Sequence, residues 1–373
     1  MTVSIIIAVK TWQKNLEECV GKCQELDFPD FEIIILPDSD IGTVPALAKI
    51  LSTKGTVPIK FYPTGPVSPA QKRDIAIDYA KGEILAFIDD DAYPAKDWLK
   101  NAIKNFIDPQ VAAVGGPAIT PRDDSVRQKA SGLIYSSPLV SAKFVYRYLP
   151  RTIPECHTSK GMVRGLPKKK IEVDDYPSCN FLIRKSIMQE LGGFNTNFWP
   201  GEDSKLCLDI TKTLNKKIVY DPTVIVYHHR RPLFLPHLKQ VANYALHRGY
   251  FVKRYPQTSL RLPYFIPTLF LFALIIGAIL SLFLNTFRIW YFWGLSLYLL
   301  LVLILSIIGT VPERGLSLIV KTSLILFVFI GMILTHLTYG YYFLKGLLAK
   351  TLSEEKGRVG TVPLEKGSVP EGD

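Results

Sequence analysis

Over the first ninety residues, short apolar runs alternate with mixed segments whose apolar positions recur at helical spacing. Residues 3–9, 31–36 and 84–88 are dominated by Ile, Val, Leu and Phe, while 16–26 and 71–80 carry apolar residues three and four apart. Unbroken apolar runs suit strands buried on both faces, and strands separated by helices predict an α/β fold with a mostly parallel sheet. In such sheets the binding crevice lies outside the carboxyl ends of the strands, so polar residues that follow the apolar runs are the first candidates for chemistry.

Beyond residue 260 the pattern changes. Residues 263–284, 289–309 and 322–344 are free of Asp, Glu, Lys and Arg, and the span 263–343 contains only Arg288, Glu313, Arg314 and Lys321. Each run is long enough to cross a hydrocarbon core of about 30 Å as a helix. The expected organisation is a cytosolic α/β domain over 1–230, a basic interfacial segment over 231–260, an α-helical membrane domain of three transmembrane helices over 261–345, and a disordered tail over 346–373.

Charge refines this picture. Lys and Arg number 44 against 33 Asp and Glu in 373 residues, and the excess gathers beside the first membrane run. Residues 228–261 hold Arg230, Arg231, Lys239, Arg248, Lys253, Arg254 and Arg261 without one acidic residue. This marks a cytosolic flank facing anionic headgroups, and no nucleic acid is expected as a partner. The chain opens straight into its first apolar run, so the α/β part is expected to stay in the cytosol, with the protein a multi-pass component of the cell membrane. Three crossings would place the carboxyl end outside, yet Lys345, Lys350, Lys356 and Arg358 follow the last run, which conflicts with the positive-inside tendency and leaves a re-entrant third segment open. Five cysteines without a CxxC pair point to free thiols rather than a disulfide framework.

Three segments carry candidate chemistry. The run 84–88 leads straight into Asp89-Asp90-Asp91. Consecutive carboxylates suit a hard cation such as Mg²⁺ or Mn²⁺ completed by substrate phosphates, or else a solvated turn before a helix cap. Glu202-Asp203 follows Gly192-Gly193-Phe194 and the aromatic pair Phe198-Trp199; apolar surroundings would raise a carboxylate toward the range of a general base, although surface turns contain such pairs too. Residues 224–227 end in His228-His229-Arg230-Arg231, suited to a metal and phosphate oxygens or to the edge of a membrane. The basic stretch 151–170 reads as a mobile lid or a plain surface loop.

In this order, the first strand, Asp38 after the second, Asp89–Asp91, Gly192-Gly193, Glu202-Asp203 and His228 resemble the family 2 glycosyltransferases of the GT-A fold. The resemblance spans roughly residues 1–256. It implies Mn²⁺ or Mg²⁺ as cofactor and a nucleotide-sugar donor. Asp91 then contacts the metal, with Asp89 and His228, and Asp89 or Asp90 contacts the donor ribose. Asp38 holds the base of the nucleotide. Asp203 serves as catalytic base within Glu202-Asp203. Gly192 and Gly193 let the donor approach the backbone. Apart from the resemblance, Lys72 and Arg73 shortly before the acidic run read as donor contacts or, for at least one of them, as helix surface; Arg230 and Arg231 read as donor contacts, and Trp199 and Gln240 as facing the acceptor. Pro37 stands where the family often has a first acid, and Gln240-Val241-Ala242-Asn243-Tyr244 replaces the Gln-x-x-Arg-Trp of processive members, which argues against a polymerase. The implied activity is inverting transfer to a hydroxyl of a lipid-linked glycan or glycolipid at the membrane. A polyisoprenyl-phosphate glycosyltransferase and a non-catalytic membrane scaffold are the alternatives.

Overall fold

The computed structural model describes residues 1–40, 57–149, 169–194, 198, 200–313 and 315–352. Trp199, residues 353–373 of the predicted disordered tail and residues 151–168 of the predicted lid lie outside the described residues, whereas residues 346–348, predicted as the start of that tail, continue the last helix.

The predicted α/β fold is present. β1 (Val3–Ala8), β2 (Phe31–Leu36), β3 (Ile59–Phe61) and β4 (Ile84–Asp89) pair in parallel in the order β3-β2-β1-β4. Between them run α1 (Lys14–Gln24) and α2 (Pro69–Tyr79). Ser68 and Gln71 form a capping box at the start of α2 and Pro69 occupies its first turn, a combination that satisfies the free amides there and fixes where the helix begins. Ala70, Lys72, Arg73, Ala76 and Ile77 of α2 are all buried.

Further strands complete an eight-stranded sheet in an order that local pattern does not reveal. β9 (Asn180–Arg184) inserts antiparallel between β4 and β6 (Val111–Gly115), and β10 (Lys217–Tyr220) and β8 (Ile171–Val173) extend the far edge. A small second sheet joins β5 (Ala92–Pro94), β11 (Val226–His228) and β7 (Ala118–Ile119). Asn180 pins this junction: its amide donates to the carbonyls of Gly116 and Val224 at 2.7 and 2.8 Å, and its oxygen accepts from Trp98 Nε1 at 2.9 Å. Trp98 begins α3 (Trp98–Ile103).

Four helices position the remaining groups: α4 (Val126–Tyr135), α5 (Lys185–Leu191), α6 (Glu202–Leu208) and α7 (Leu235–Arg254). The three apolar runs form α8 (Leu262–Phe283), α9 (Asn285–Thr310) and α10 (Leu318–Leu348), each long and apolar enough to cross a membrane. Cys19, Cys23, Cys179 and Cys207 are free thiols, all buried.

Candidate active site

The registers of β1, β2 and β4 align Ala8 with both Leu36 and Asp89, so the three strands end on one line. The residues just past those ends therefore meet: Val9, Asp38 and the Asp89–Asp91 run. α2 lies behind them and supplies two buried cations. Lys72 is 2% exposed; its ammonium donates to the Val9 and Leu36 carbonyls at 2.6 and 3.1 Å and to Asp38. With three acceptors an ammonium has no donor left, so Lys72 ties strand ends together and orients Asp38 instead of reaching outward as the predicted donor contact. Arg73, 4% exposed, bridges Asp89 Oδ1 at 2.8 Å and Glu202 Oε1 at 3.3 Å.

β5 turns back immediately after Asp91 and pairs antiparallel with β11, setting His228 beside Ala92. His228 Nε2 then lies 3.0 Å from Asp91 Oδ1, and Arg231 stands 3.4 Å from Asp91 Oδ2. Burial works to raise the Asp91 carboxyl, but His228, Arg231 and Arg230 outweigh it and hold it below the ordinary range. Asp90 accepts from Gln13; burial, followed by repulsion from Asp91 and Asp89, pushes it up to about 7. The solvated-cap alternative is not what forms, since a strand follows Asp91 and α3 starts at Trp98 without a side-chain cap.

Asp89, Asp91 and His228 each offer one ligand atom within 4.8 Å of the others. Two carboxylates and an imidazole suit Mn²⁺, and Mg²⁺ through the carboxylates. The donor set therefore fits the cofactor the sequence led us to expect.

The second acidic pair opens α6. Gly201 has φ +118° and a Cβ there would lie 2.5 Å from the Phe251 ring, so this tight entry needs glycine. Glu202 is 5% exposed, accepts from the Gly201 amide at 3.0 Å and is pushed up to about 7 by burial and then by Asp203, against the pull of Arg73. Asp203 is half-buried and accepts from the Ser204 amide at 2.7 Å. Burial and Asp175 push it up to about 6, with Arg248 opposing. This environment puts Asp203 in the range where a carboxylate accepts a proton near neutral pH.

Gly192 and Gly193 do different work from that expected. Gly192 ends α5 at φ +70°, and a Cβ on Gly193 would lie 2.4 Å from Asp74 Oδ1, which accepts from the Phe194 amide at 2.7 Å. The pair thus fastens this loop to α2, and Phe194 lies under the Arg73 guanidinium at 5.7 Å. Arg230 is likewise committed inside the protein: it donates to the Ala118 carbonyl and to Thr120 Oγ1 at 3.3 Å and lies 3.2 Å from His228 Nδ1. Arg231 is 59% exposed at its side chain and remains open to solution.

A cleft opens beside the metal-type triad, with Tyr135, Tyr148, His228, Arg231, Gln240 and Tyr244 in its wall. Gln240, placed on the acceptor side from sequence, accepts from Tyr135 at 3.3 Å. Sequence reasoning missed Asp175. It is 2% exposed and collects Ser204 Oγ at 2.9 Å, Arg248 at 3.3 Å and Arg147 at 3.7 Å. Its only visible signal is an Asp pair, Asp174-Asp175, just after a strand.

Comparison with known proteins identifies the fold and the family. Across 355 residues the chain is 24% identical to the dolichyl N-acetyl-alpha-D-glucosaminyl phosphate 3-beta-D-2,3-diacetamido-2,3-dideoxy-beta-D-glucuronosyltransferase of Methanococcus voltae, covering 93% of this chain and 97% of that one. Over 163 residues it is 25% identical to the pre-mycofactocin glycosyltransferase of Mycobacterium tuberculosis, covering 44% of this chain and 30% of that one. The fold matches the mannosyltransferase PcManGT from Pyrobaculum calidifontis, solved with GDP-Man and Mn²⁺, with a TM-score of 0.52 and 18% identity over 94% of this chain and 88% of that one. The α/β domain is thus of the GT-A type. Residues 4–192, half of the chain and the part that builds the strand ends and their acidic run, match the family described as glycosyl transferase family 2, and the chain belongs to that family.

Proposed function

We propose that this protein is a membrane-anchored, metal-dependent, inverting glycosyltransferase that moves a sugar from a nucleotide-sugar donor to a hydroxyl of a lipid-linked acceptor, on the cytosolic face of the membrane. The observation that carries the reading is the meeting of Asp89, Asp91 and His228 within 4.8 Å at the carboxyl ends of parallel strands, with Glu202 tied to Asp89 through Arg73.

A divalent ion held by Asp89, Asp91 and His228 would supply positive charge for the departing diphosphate. Arg231, exposed beside Asp91, adds a second cation for phosphate oxygens. Asp38, held by Lys72, lies at the end of β2 where the base of a nucleotide is recognised by an acceptor carboxylate. Asp203 takes the proton from the acceptor hydroxyl, which forms the new bond at the anomeric carbon as the bond to the diphosphate breaks. A single displacement of this kind inverts the configuration. Glu202 and Arg73 keep the base and the Asp89 end of the site in one rigid unit.

The membrane side of the proposal is supported by three helices of mean hydropathy 2.4–2.5 and by the basic segment beside them. A lipid-linked acceptor is supported by the Methanococcus voltae relative, whose name gives a dolichyl-linked sugar phosphate as acceptor and which matches along nearly its whole length. The cleft wall includes Gln240 and Tyr244 of α7, so an acceptor rising from the lipid along that helix reaches the triad.

The test is donor hydrolysis and transfer by the purified protein in detergent, across a panel of nucleotide sugars with Mn²⁺, Mg²⁺ or EDTA. Turnover of one donor that requires metal and is lost in Asp91→Ala supports the proposal. Undiminished turnover in EDTA, or in Asp91→Ala, refutes it. Full activity in Asp203→Asn would move the acceptor from a hydroxyl to a phosphate, which needs little base assistance.

A further inference from the structure

The last apolar helix does not sit as three simple crossings require. α10 covers 31 residues, about 46 Å at 1.5 Å per residue, and a helix that crosses a bilayer leaves its ends on opposite sides. Both halves of α10 instead pack on the catalytic half of the molecule. In its first half, Leu324, Val328 and Met332 are buried in one cluster with Ala130 and Ile134 of α4, Leu233, and Val302 of α9. The Arg127 guanidinium lies 6.0 Å from the Phe327 ring, and Glu313, just ahead of the helix, lies 3.7 Å from Lys129. At its end, Lys253 donates to the Ala349 carbonyl at 2.6 Å. Leu352 is buried with Phe198, Tyr250 and Phe251, and Phe251 is the ring against Gly201 at the entry to the Glu202-Asp203 helix.

Between those ends α7 runs alongside. His237 and Thr335 meet at 3.0 Å. A Cβ on Gly249 would lie 2.1 Å from the Phe343 carbonyl, and one on Gly346 would lie 2.0 Å from the Leu246 carbonyl. α8 and α9 meet α10 through the parts nearest the catalytic domain. Thr268 donates to the Gly340 carbonyl at 2.9 Å, Phe265 packs on Phe343, and Tyr298 lies 2.9 Å from His336. The far ends of the pair stand clear: Leu282, Phe283, Ile289, Trp290 and Trp293 are 60–77% exposed. Arg288, Trp290, Tyr291 and Trp293 there are the residue types that gather at a membrane boundary.

We infer that α8 and α9 cross the bilayer as an antiparallel pair, while α10 lies in the membrane plane, within the leaflet beneath the catalytic domain. Its inner face packs on α4 and α7. Its outer face, with Leu318, Ile319, Leu326, Tyr341 and Leu348 at 52–80% exposure, meets lipid chains as the exposed faces of the neighbouring α8 and α9 do. The carboxyl end is then on the catalytic side. That location unites Lys345 and Lys350 with the cations of residues 228–261 and removes their conflict with charge-determined orientation.

The inference rests on the membrane anchoring proposed above, and its test reads sidedness, independently of activity. Full-length Lys96→Cys, Asn285→Cys, Lys350→Cys and Thr351→Cys place a thiol at exposed positions on the catalytic domain, between the crossing helices, and after α10. Sealed vesicles of one orientation are treated with a membrane-impermeant maleimide polymer, before and after detergent, and the gel shift beyond that of the parent chain is read. Lys96→Cys, Lys350→Cys and Thr351→Cys are expected to label together, with Asn285→Cys on the opposite side. Labelling of Lys350→Cys and Thr351→Cys with Asn285→Cys, opposite Lys96→Cys, would overturn the inference. Labelling of every position from one side would overturn the crossing pair as well, while leaving the transfer chemistry to be judged by the detergent assay.

Discussion

Asp175→Asn removes one negative charge from a buried cluster while keeping the shape of the side chain. In the native protein this carboxyl faces two guanidiniums, Arg248 at 3.3 Å and Arg147 at 3.7 Å, and accepts from Ser204 at 2.9 Å. Burial works to raise it, yet Arg248 and Arg147 dominate and bring it from an ordinary 3.8 to about 2. A fall of that size corresponds to about 2.5 kcal/mol of native stability. Because the folded value is the lower one, the contribution is present above pH 3.8 and is lost as pH falls through about 2. Removing the charge also strands two partly buried cations, which brings the expected loss at neutral pH into the range of roughly 3–5 kcal/mol. For a domain of this size, even the smaller figure lowers a thermal midpoint by about 5–10 °C. The adjacent Asp174 provides the control: it pairs with Arg261 at 2.8 Å but is 55% exposed, and such pairs contribute about 0–1 kcal/mol. Thermal unfolding of both variants in detergent at pH 7 should show a large drop for Asp175→Asn and a small one for Asp174→Asn. Transfer activity should fall with the first, since Ser204 Oγ anchors the turn that presents Asp203. Equal midpoints for the two variants would refute the cluster's role.

Asp203→Asn should lower kcat by about 10²–10⁴-fold with little change in donor KM, and in the parent protein kcat/KM should decline as pH drops below about 6, where Asp203 takes up its proton; a flat profile between pH 5 and 8 would exclude it as the base. Arg73→Met leaves Asp89 and Glu202 without the cation they share, so the variant should need more Mn²⁺ for half-maximal activity, as read by metal titration. Gly346→Leu drives a side chain into the Leu246 carbonyl; overpacking of this kind costs about 1–3 kcal/mol, and the displaced α7 carries Gln240 and Tyr244 of the cleft, so both the thermal midpoint and transfer should fall.

The positions most visible in sequence were those whose chemistry is local. Apolar runs of residues 31–36 and 84–88 are strands because they are buried on both faces, and three acids that follow such a run sit at its carboxyl end. His228 was legible for the same reason, as the polar residue at the end of an apolar strand. What the sequence withheld depends on contacts distant along the chain. Arg73 bridges residues 16 and 129 positions away, and a lone arginine on a helix gives no sign of that. Lys72 looked like an outward donor contact, whereas burial against two carbonyls and Asp38 turns it inward. Gly192-Gly193 read as an opening for substrate, whereas the positive φ values and the approach of Asp74 assign them to the joint with α2. The insertion of β9 (Asn180–Arg184) between β4 (Ile84–Asp89) and β6 (Val111–Gly115) pairs strands far apart along the chain, beyond any periodicity. For α10, length and apolarity alone indicate a crossing; only its packing on α4 and α7 distinguishes a helix lying in the leaflet from one passing through it.

The acidic strand end has its own counterions. Asp89 is matched by Arg73, Asp91 by His228 and Arg231, and Glu202 again by Arg73, so the chain can close around these carboxylates before any metal arrives. If the proposed metal binds at this site, folding and metal loading are separable events, and a chelator should silence transfer without lowering the thermal midpoint.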